Sequence, residues 1–189
     1  MKFLEEKILK DGKILPGNVL KVDSFLNHQI DIATLEKCAK EWHESFKESG
    51  VTKILTIEAS GIGFACMTAQ LFKVPVLFAK KTSSSNISDE FYKSKVVSYT
   101  HGHSYDVVAA RQYITSNDKI LIIDDLLANG SAMKALINIC KLGAAEVVGC
   151  GAAIEKVYQG GGNDIRSMGY RVESLAKISS MSEDNIIFC

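Results

Sequence analysis

Lys119-Ile120-Leu121-Ile122-Ile123-Asp124-Asp125-Leu126-Leu127-Ala128-Asn129-Gly130-Ser131-Ala132 is the stretch on which the fold turns. Ile120 to Ile123 is a short apolar run with no alternation, the pattern of a strand buried on both faces in a parallel sheet covered by helices. Two carboxylates, Asp124 and Asp125, follow at its carboxyl end, where open α/β sheets bind ligands. Gly130 then precedes a helical pattern of Met133, Ala135, Leu136, Ile139 and Cys140. Backbone N–H groups in such a turn suit an anion, and a pair of acids beside it suits sugar hydroxyls. Ribose phosphate is the ligand class that fits first. Two acids after a strand also fit a solvated turn and helix cap, so the pair alone does not decide.

Composition narrows the field. The chain has 189 residues, 47% hydrophobic and 23% charged, enough for one domain with a full core. Its 22 basic and 22 acidic side chains balance, which favours neither nucleic acid nor an anionic membrane as partner. Five scattered cysteines, without a CxxC pair or cysteine–histidine metal spacing, point to reduced thiols, four of them core filler. The N-terminus is too charged for a signal peptide and no run reaches membrane-spanning length, so a cytoplasmic protein is expected.

Outward from the central strand, the chain alternates strands and helices. Phe3, Leu4, Ile8 and Leu9 have helical spacing up to Gly12; Ile14 to Phe25 alternates in part; Asp31 is placed to cap a helix through Trp42 and Phe46 to Gly50. Val51 to Ile57 predicts a core strand ending at Glu58-Ala59-Ser60-Gly61-Ile62-Gly63, a second strand–turn–helix of the phosphate type. It lacks the full GxGxxG of a dinucleotide fold. Val74 to Ala79 predicts the next strand, followed by Lys80-Lys81, and the serine-rich stretch Thr82 to Lys95 is a candidate lid. Strands are expected over Val96–Thr100, Ser104–Ala110, Glu146–Ile154, Val172–Ile178 and Asn185–Cys189, and a helix end at Gly143. His101 and His103, at i and i+2 with no acidic or thiol partner nearby, do not predict a metal site. On residue type alone, Lys80-Lys81 are solvated charge, Asn27 and His28 are surface groups, and Lys156 is in a salt bridge with Glu155 or Asp124.

The run from Ile120 to Ala132 resembles the phosphoribosyl-pyrophosphate (PRPP) signature of type I phosphoribosyltransferases: four apolar residues, two acids, two apolar residues, then a small-residue loop with Gly. It departs at Ala128 and Ala132, where many members carry threonine, which leaves Asn129 and Ser131 as polar side chains and more work for backbone amides. Leu20 to Asp31 resembles the base-recognition segment of the xanthine-specific members. The resemblance implies an α/β fold, a type I phosphoribosyltransferase-like parallel sheet flanked by helices, with a small N-terminal hood of about residues 1–35 and a core of about 36–189 in a single domain. C-terminal strands are expected to add to the hood.

The resemblance also implies roles. Asp124 and Asp125 would hold the ribose hydroxyls near the developing charge; Ala128, Asn129, Gly130, Ser131 and Ala132 would fix the 5-phosphate. Ala59, Ser60 and Gly61, preceded by Glu58, and Lys80 and Lys81 would stabilise departing pyrophosphate, with a cis peptide near Ala59-Ser60. The Leu20 backbone, the Asn27 side chain and Lys156 would contact xanthine, Lys156 at its 6-oxo group. Mg²⁺ would be held mainly by PRPP and water near Asp124, with no site fixed by protein alone. A homodimer is implied, and no general base is visible. Two rivals stay open: a broad hypoxanthine–guanine transferase, since Lys156 reads only the 6-oxo edge, and a non-catalytic PRPP or purine sensor, against which the neutral charge argues.

Overall fold

A computed structural model of the chain describes residues 1–17, 19–82, 89–97, 104–182 and 185–189. The serine-rich centre of the expected lid and the His101–His103 tip lie outside the described residues. Helix α1 (Lys2–Asp11) buries Leu4 and Ile8 and ends at Gly12, as its periodicity predicts. Strands β1 (Lys13–Leu15) and β2 (Val19–Lys21) form an antiparallel hairpin with Ile14 opposite Leu20. Asp23–Asn27 then winds into a π-helical turn that buries Phe25 and Leu26. The partial alternation up to Phe25 is therefore two short strands and a helical turn.

Helix α2 (Ile32–Phe46) starts where the capping residue predicts: the Asp31 carboxylate accepts from the Thr34 N–H at 3.3 Å and from the Thr34 hydroxyl at 2.9 Å. Lys7 of α1 also reaches Asp31, at 2.9 Å, and Asp11, at 3.2 Å, with its ammonium 5.2 Å from the Phe25 ring centroid. One lysine thus ties α1, the helical turn and the start of α2.

The remaining elements are β3 (Lys53–Ile57), α3 (Gly61–Phe72), β4 (Val76–Thr82), β5 (Phe91–Val97), β6 (Ser104–Ala110), β7 (Lys119–Leu127), α4 (Ser131–Leu142), β8 (Glu146–Lys156), α5 (Gly161–Ser167), β9 (Val172–Ser182) and β10 (Asn185–Phe188). Among the described residues the main sheet has the order β10-β9-β8-β7-β3-β4-β6-β5. Its centre, β4-β3-β7-β8-β9, is parallel, and β10, β6 and β5 extend it in antiparallel pairings. This is the expected α/β architecture, with β7 central. Ile120 and Ile122 point into the core under α4, while Leu121 and Ile123 point into the core shared with α2 and α3, the period-two alternation that makes an uninterrupted apolar run necessary. On the α2–α3 side, Trp42 meets Phe64 edge to face at 5.6 Å.

Several expectations need correction. β7 runs on to Leu127, so Asp124 and Asp125 lie within the strand, since pairing with β8 continues past the apolar run through Asp124↔Ala152 to Leu127↔Glu155. β4 likewise runs through Lys80 and Lys81, which pair with Val108 and Val107 of β6. β5 begins at Phe91, inside the stretch expected to be loop. The C-terminal strands widen the main sheet beside α1. Three cysteines are buried, not four: Cys66 and Cys189 are exposed. Among the described residues no helix is long and apolar enough to cross a membrane.

The Lys7 ammonium, followed by the Thr34 hydroxyl, holds the Asp31 carboxyl down at about 2. A depressed carboxyl stabilises the fold fully above its ordinary 3.8 and stops doing so as pH falls through the depressed value. Asp31→Ala is expected to cost about 1 kcal/mol at neutral pH. In urea titrations, the gap between variant and wild type should close as pH falls from 3.8 towards about 2.

Candidate active site

The carboxyl ends of β3 and β7 each run through a tight turn of small residues into a helix, α3 or α4. Gly61, the first residue of α3, is wedged between the two: a Cβ there would fall 2.2 Å from Thr56 Oγ1 and 3.0 Å from Asp124 Oδ1. Only glycine permits that approach, and it brings the Glu58–Gly61 turn against the acidic end of β7. The first N–H groups of a helix have no intrahelical partner, so the start of α3 at Gly61 offers such groups close to Asp124. The cis peptide of this turn is Glu58–Ala59, one bond before the expected place. Glu58 turns back and accepts from the Lys81 N–H at 2.7 Å, locking the turn to β4.

Asp124 is 5% exposed and accepts from the N–H of Asp125 at 3.0 Å. Burial first, then the neighbouring Asp125 carboxylate, push its carboxyl well above the usual range, while the Lys81 charge pulls it back. Asp125 is half-buried. The pair therefore comprises one carboxyl that resists ionisation and a more accessible one beside it.

Adjacent residues of a strand face opposite ways, and this splits the lysine pair. Lys81 shares its face with the buried Ala79 and sits 5.9 Å from the Tyr105 ring centroid, towards Asp124. Lys80 lies on the other face, 6.0 Å from the Phe78 ring centroid. The structure brings Lys81, not Lys80, to this chain's own acidic pair.

In the turn after β7, Gly130 has φ +78° and precedes α4, and the Asn129 carboxamide oxygen accepts from the Ser131 N–H at 3.0 Å. Asn129 thus caps its own loop. Ala128, Ser131 and Ala132 are half-buried, and Gly130 is buried. The loop rests on Gly161, whose N–H donates to the Ala128 carbonyl at 3.2 Å; a Cβ on Gly161 would fall 2.3 Å from Gly130 N. The glycine run at 160–162 was visible in the sequence, but nothing local revealed that it backs a loop some thirty residues earlier. Tyr105 carried no signal at all.

Lys156 closes β8, 7% exposed, with its ammonium pushed down by burial. Glu155, the expected salt-bridge partner, faces the opposite way and pairs with Arg166 through two bonds of 2.9 and 2.8 Å. Leu20 is buried in the same core as Ile154 and Ile178, which flank the end of β8. Asn27 stands at the end of the π-helical turn with its side chain exposed. Among the described residues no group of three or more His, Cys, Asp or Glu side chains could hold a metal ion.

The family model described as phosphoribosyl transferase domain matches residues 21–177. The chain belongs to this family. Phosphoribosyl transferase relatives align along its whole length. A xanthine phosphoribosyltransferase of Finegoldia magna is 49% identical over 188 residues, covering 100% of this chain and 99% of that protein. One of Ruminiclostridium cellulolyticum is 50% identical over the same length and coverage. Among solved structures, the adenine phosphoribosyltransferase of Rhodothermus marinus superposes with a TM-score of 0.77 at 20% identity, covering 94% of this chain and 100% of that one. The Trypanosoma brucei enzyme in complex with AMP, pyrophosphate and ribose-5-phosphate superposes with a TM-score of 0.78 at 18% identity, covering 96% and 82%. These structures share the phosphoribosyl transferase fold.

A carboxyl raised by burial makes the fold more stable in its protonated form, and the cost of ionising it grows as pH rises above the ordinary 3.8. Asp124→Asn is therefore expected to raise the melting temperature at neutral pH, an advantage that shrinks towards zero in acid. The same variant should lose about 10²-fold or more in turnover. Scanning calorimetry from pH 4 to pH 8 with a turnover assay checks both signs; a neutral-pH melting temperature below wild type would refute it.

Proposed function

We propose that the chain transfers the 5-phosphoribosyl group from PRPP to xanthine, giving xanthosine 5′-monophosphate and pyrophosphate. One observation carries the reaction class: an acidic pair at the carboxyl end of the central strand, flanked by two helix N-terminal turns. Each turn suits an anion, and the acids between them suit ribose hydroxyls. Support for xanthine comes from the full-length relatives at 49% and 50% identity, both named for it.

In this reading residues 128–132 hold the 5-phosphate through backbone N–H groups, with Asn129 keeping the loop in shape. Residues 59–61 receive the pyrophosphate beside Lys81. As the bond from ribose C1 to pyrophosphate breaks, positive charge develops on the sugar, and Asp124 and Asp125 lie where it is stabilised. The work of the protein is positioning and electrostatics. Carboxylate oxygens are donors that suit Mg²⁺, which prefers to keep water and substrate phosphate as its other ligands; when bound with PRPP it neutralises diphosphate charge. A site with one buried and one more accessible carboxyl, and among the described residues no cluster of three or more metal-binding side chains, fits that division.

At the base, the Lys156 ammonium donates to the 6-oxo group of xanthine, and the Asn27 amide, with a donor and an acceptor, reads a second edge with the Leu20 backbone. The segment of residues 1–35 acts as the hood over this base. A 6-amino purine would present a donor to the Lys156 ammonium where xanthine presents an acceptor, so that hydrogen bond could not form. Lys80, turned away from its own acidic pair, is placed for a second copy's pyrophosphate site in a homodimer. The enzyme works in the cytoplasm on small molecules, without nucleic acid or membrane partners.

Pyrophosphate release from PRPP and Mg²⁺, measured in parallel with xanthine, guanine, hypoxanthine and adenine, tests this. Xanthine should be used best and adenine not at all. Lys156→Gln should lower kcat/KM for xanthine roughly 10- to 100-fold, as loss of a hydrogen bond to a charged group does. Equal use of hypoxanthine or guanine would sink the base assignment while leaving the reaction. Binding of PRPP with no turnover of any base would make the chain a sensor.

A further inference from the structure

Helix α5 was not foreseen in the sequence, and it touches both halves of the site. At its start, the Gly161 N–H donates to the Ala128 carbonyl, and its missing side chain lets the helix lie directly against Gly130. Asp164, one turn on, pairs at 2.6 Å with Lys134 in the first turn of α4, the helix that the phosphate loop feeds. Arg166 then reaches back to Glu155 with two parallel bonds, 2.9 Å from Nη1 to Oε1 and 2.8 Å from Nη2 to Oε2. Glu155 is 1% exposed and directly precedes Lys156. A Cβ on Gly162 would fall 1.9 Å from Glu155 Oε1, so the carboxylate is gripped between the α5 backbone and the guanidinium.

We propose that Arg166 is a positioning residue: through Glu155 it fixes the end of β8 that carries Lys156, and through α5 it holds the backing of the 5-phosphate loop. The inference rests on the reading above, in which Lys156 meets the purine and residues 128–132 meet the phosphate. A bidentate arginine–carboxylate pair fixes direction as well as distance. Glu155 and Lys156 share one peptide unit on opposite faces of the strand, so a shift of the Glu155 backbone at this end of β8 would shift that of Lys156 with it. Loss of the guanidinium would strip the buried carboxylate of its bidentate partner, leaving only the Ser174 hydroxyl and the Lys177 charge in its favour. That carboxylate would turn towards solvent, carrying Lys156 off the purine and loosening α5 from Gly130. Lysine cannot replace this function, because an ammonium offers one point of contact in place of a planar fork.

The test compares wild type, Arg166→Gln, Arg166→Lys and the neutral double variant Glu155→Gln/Arg166→Met. Melting temperature, kcat, KM for xanthine and for PRPP, and the calorimetric affinity for PRPP with Mg²⁺ are measured on each. Arg166→Gln is expected to lower kcat/KM for both substrates about 10-fold or more, as misplaced site groups do, and to lower the melting temperature. Arg166→Lys should recover part of the melting temperature while KM for both substrates stays raised. The double variant, with no unpaired buried charge, should melt near wild type and keep the raised KM values. Wild-type KM values in the double variant would overturn the proposal, because stability alone would then explain the pair. The double variant also decides the matter if Arg166→Gln fails to fold. Should wild type bind PRPP yet turn over no purine, the functional reading fails by itself. The weakened PRPP affinity expected of the double variant still tests the clamp, and unchanged affinity there overturns it.

Discussion

A carboxyl group buried at the end of the central strand is the constraint around which the rest is arranged. β7 is apolar on both faces, so it must lie in the middle of the sheet with helices on either side. Its carboxyl end then emerges between the starts of α3 and α4, whose partial positive charges face the same crevice. Asp124 is placed there at 5% exposure, against Gly61 and within the influence of Lys81. Burial opposes its ionisation; in the proposed reaction the group would come into use once charge appears beside it. A cationic sugar carbon in the crevice would restore the favourable state of both acids at the moment of reaction. A carboxylate fully solvated beforehand would gain far less.

The central strand, both turn–helix units, the capped start of α2 and the order of strands and helices were legible in the sequence, because each rests on local chemistry. A strand buried on two faces must be continuously apolar, and a cap needs an oxygen such as that of Asp31 next to the first turn. What the sequence hid were consequences of pairing at a distance. Lys80 and Lys81 look like a loop after a strand until β6 is seen hydrogen-bonded beside them; alternation then sends one to the acidic pair and one away. Asp124 and Asp125 belong to β7 for the same reason, since pairing with β8 outlasts the apolar run. Glu155 and Lys156 are adjacent in sequence, and adjacency invited an ion pair that strand geometry forbids. Arg166 on a helix of seven residues could be assigned to Glu155 only once that helix was placed.

The two turns reach the same end by different means. The turn after β3 is held from outside, by Glu58 on the Lys81 N–H and by Gly61 packed on Thr56. The turn after β7 is held from inside, by Asn129 on the Ser131 N–H, and from behind by Gly161. That second arrangement bears on Ala128 and Ala132. A threonine hydroxyl can swing to meet a phosphate oxygen; an alanine cannot, so on the proposed reading recognition would fall mainly to backbone N–H groups whose directions are set by loop shape. Donors of that kind cannot adjust one at a time. A loop that binds by shape needs a firm support, and here the support is a glycine backbone in van der Waals contact with Gly130. On that reading, substituting rigidity for side-chain hydroxyls would make the proposed phosphate loop depend on residues far outside its own motif. The same helix that provides this support also grips the strand that ends in Lys156, so the two halves of the site share a foundation.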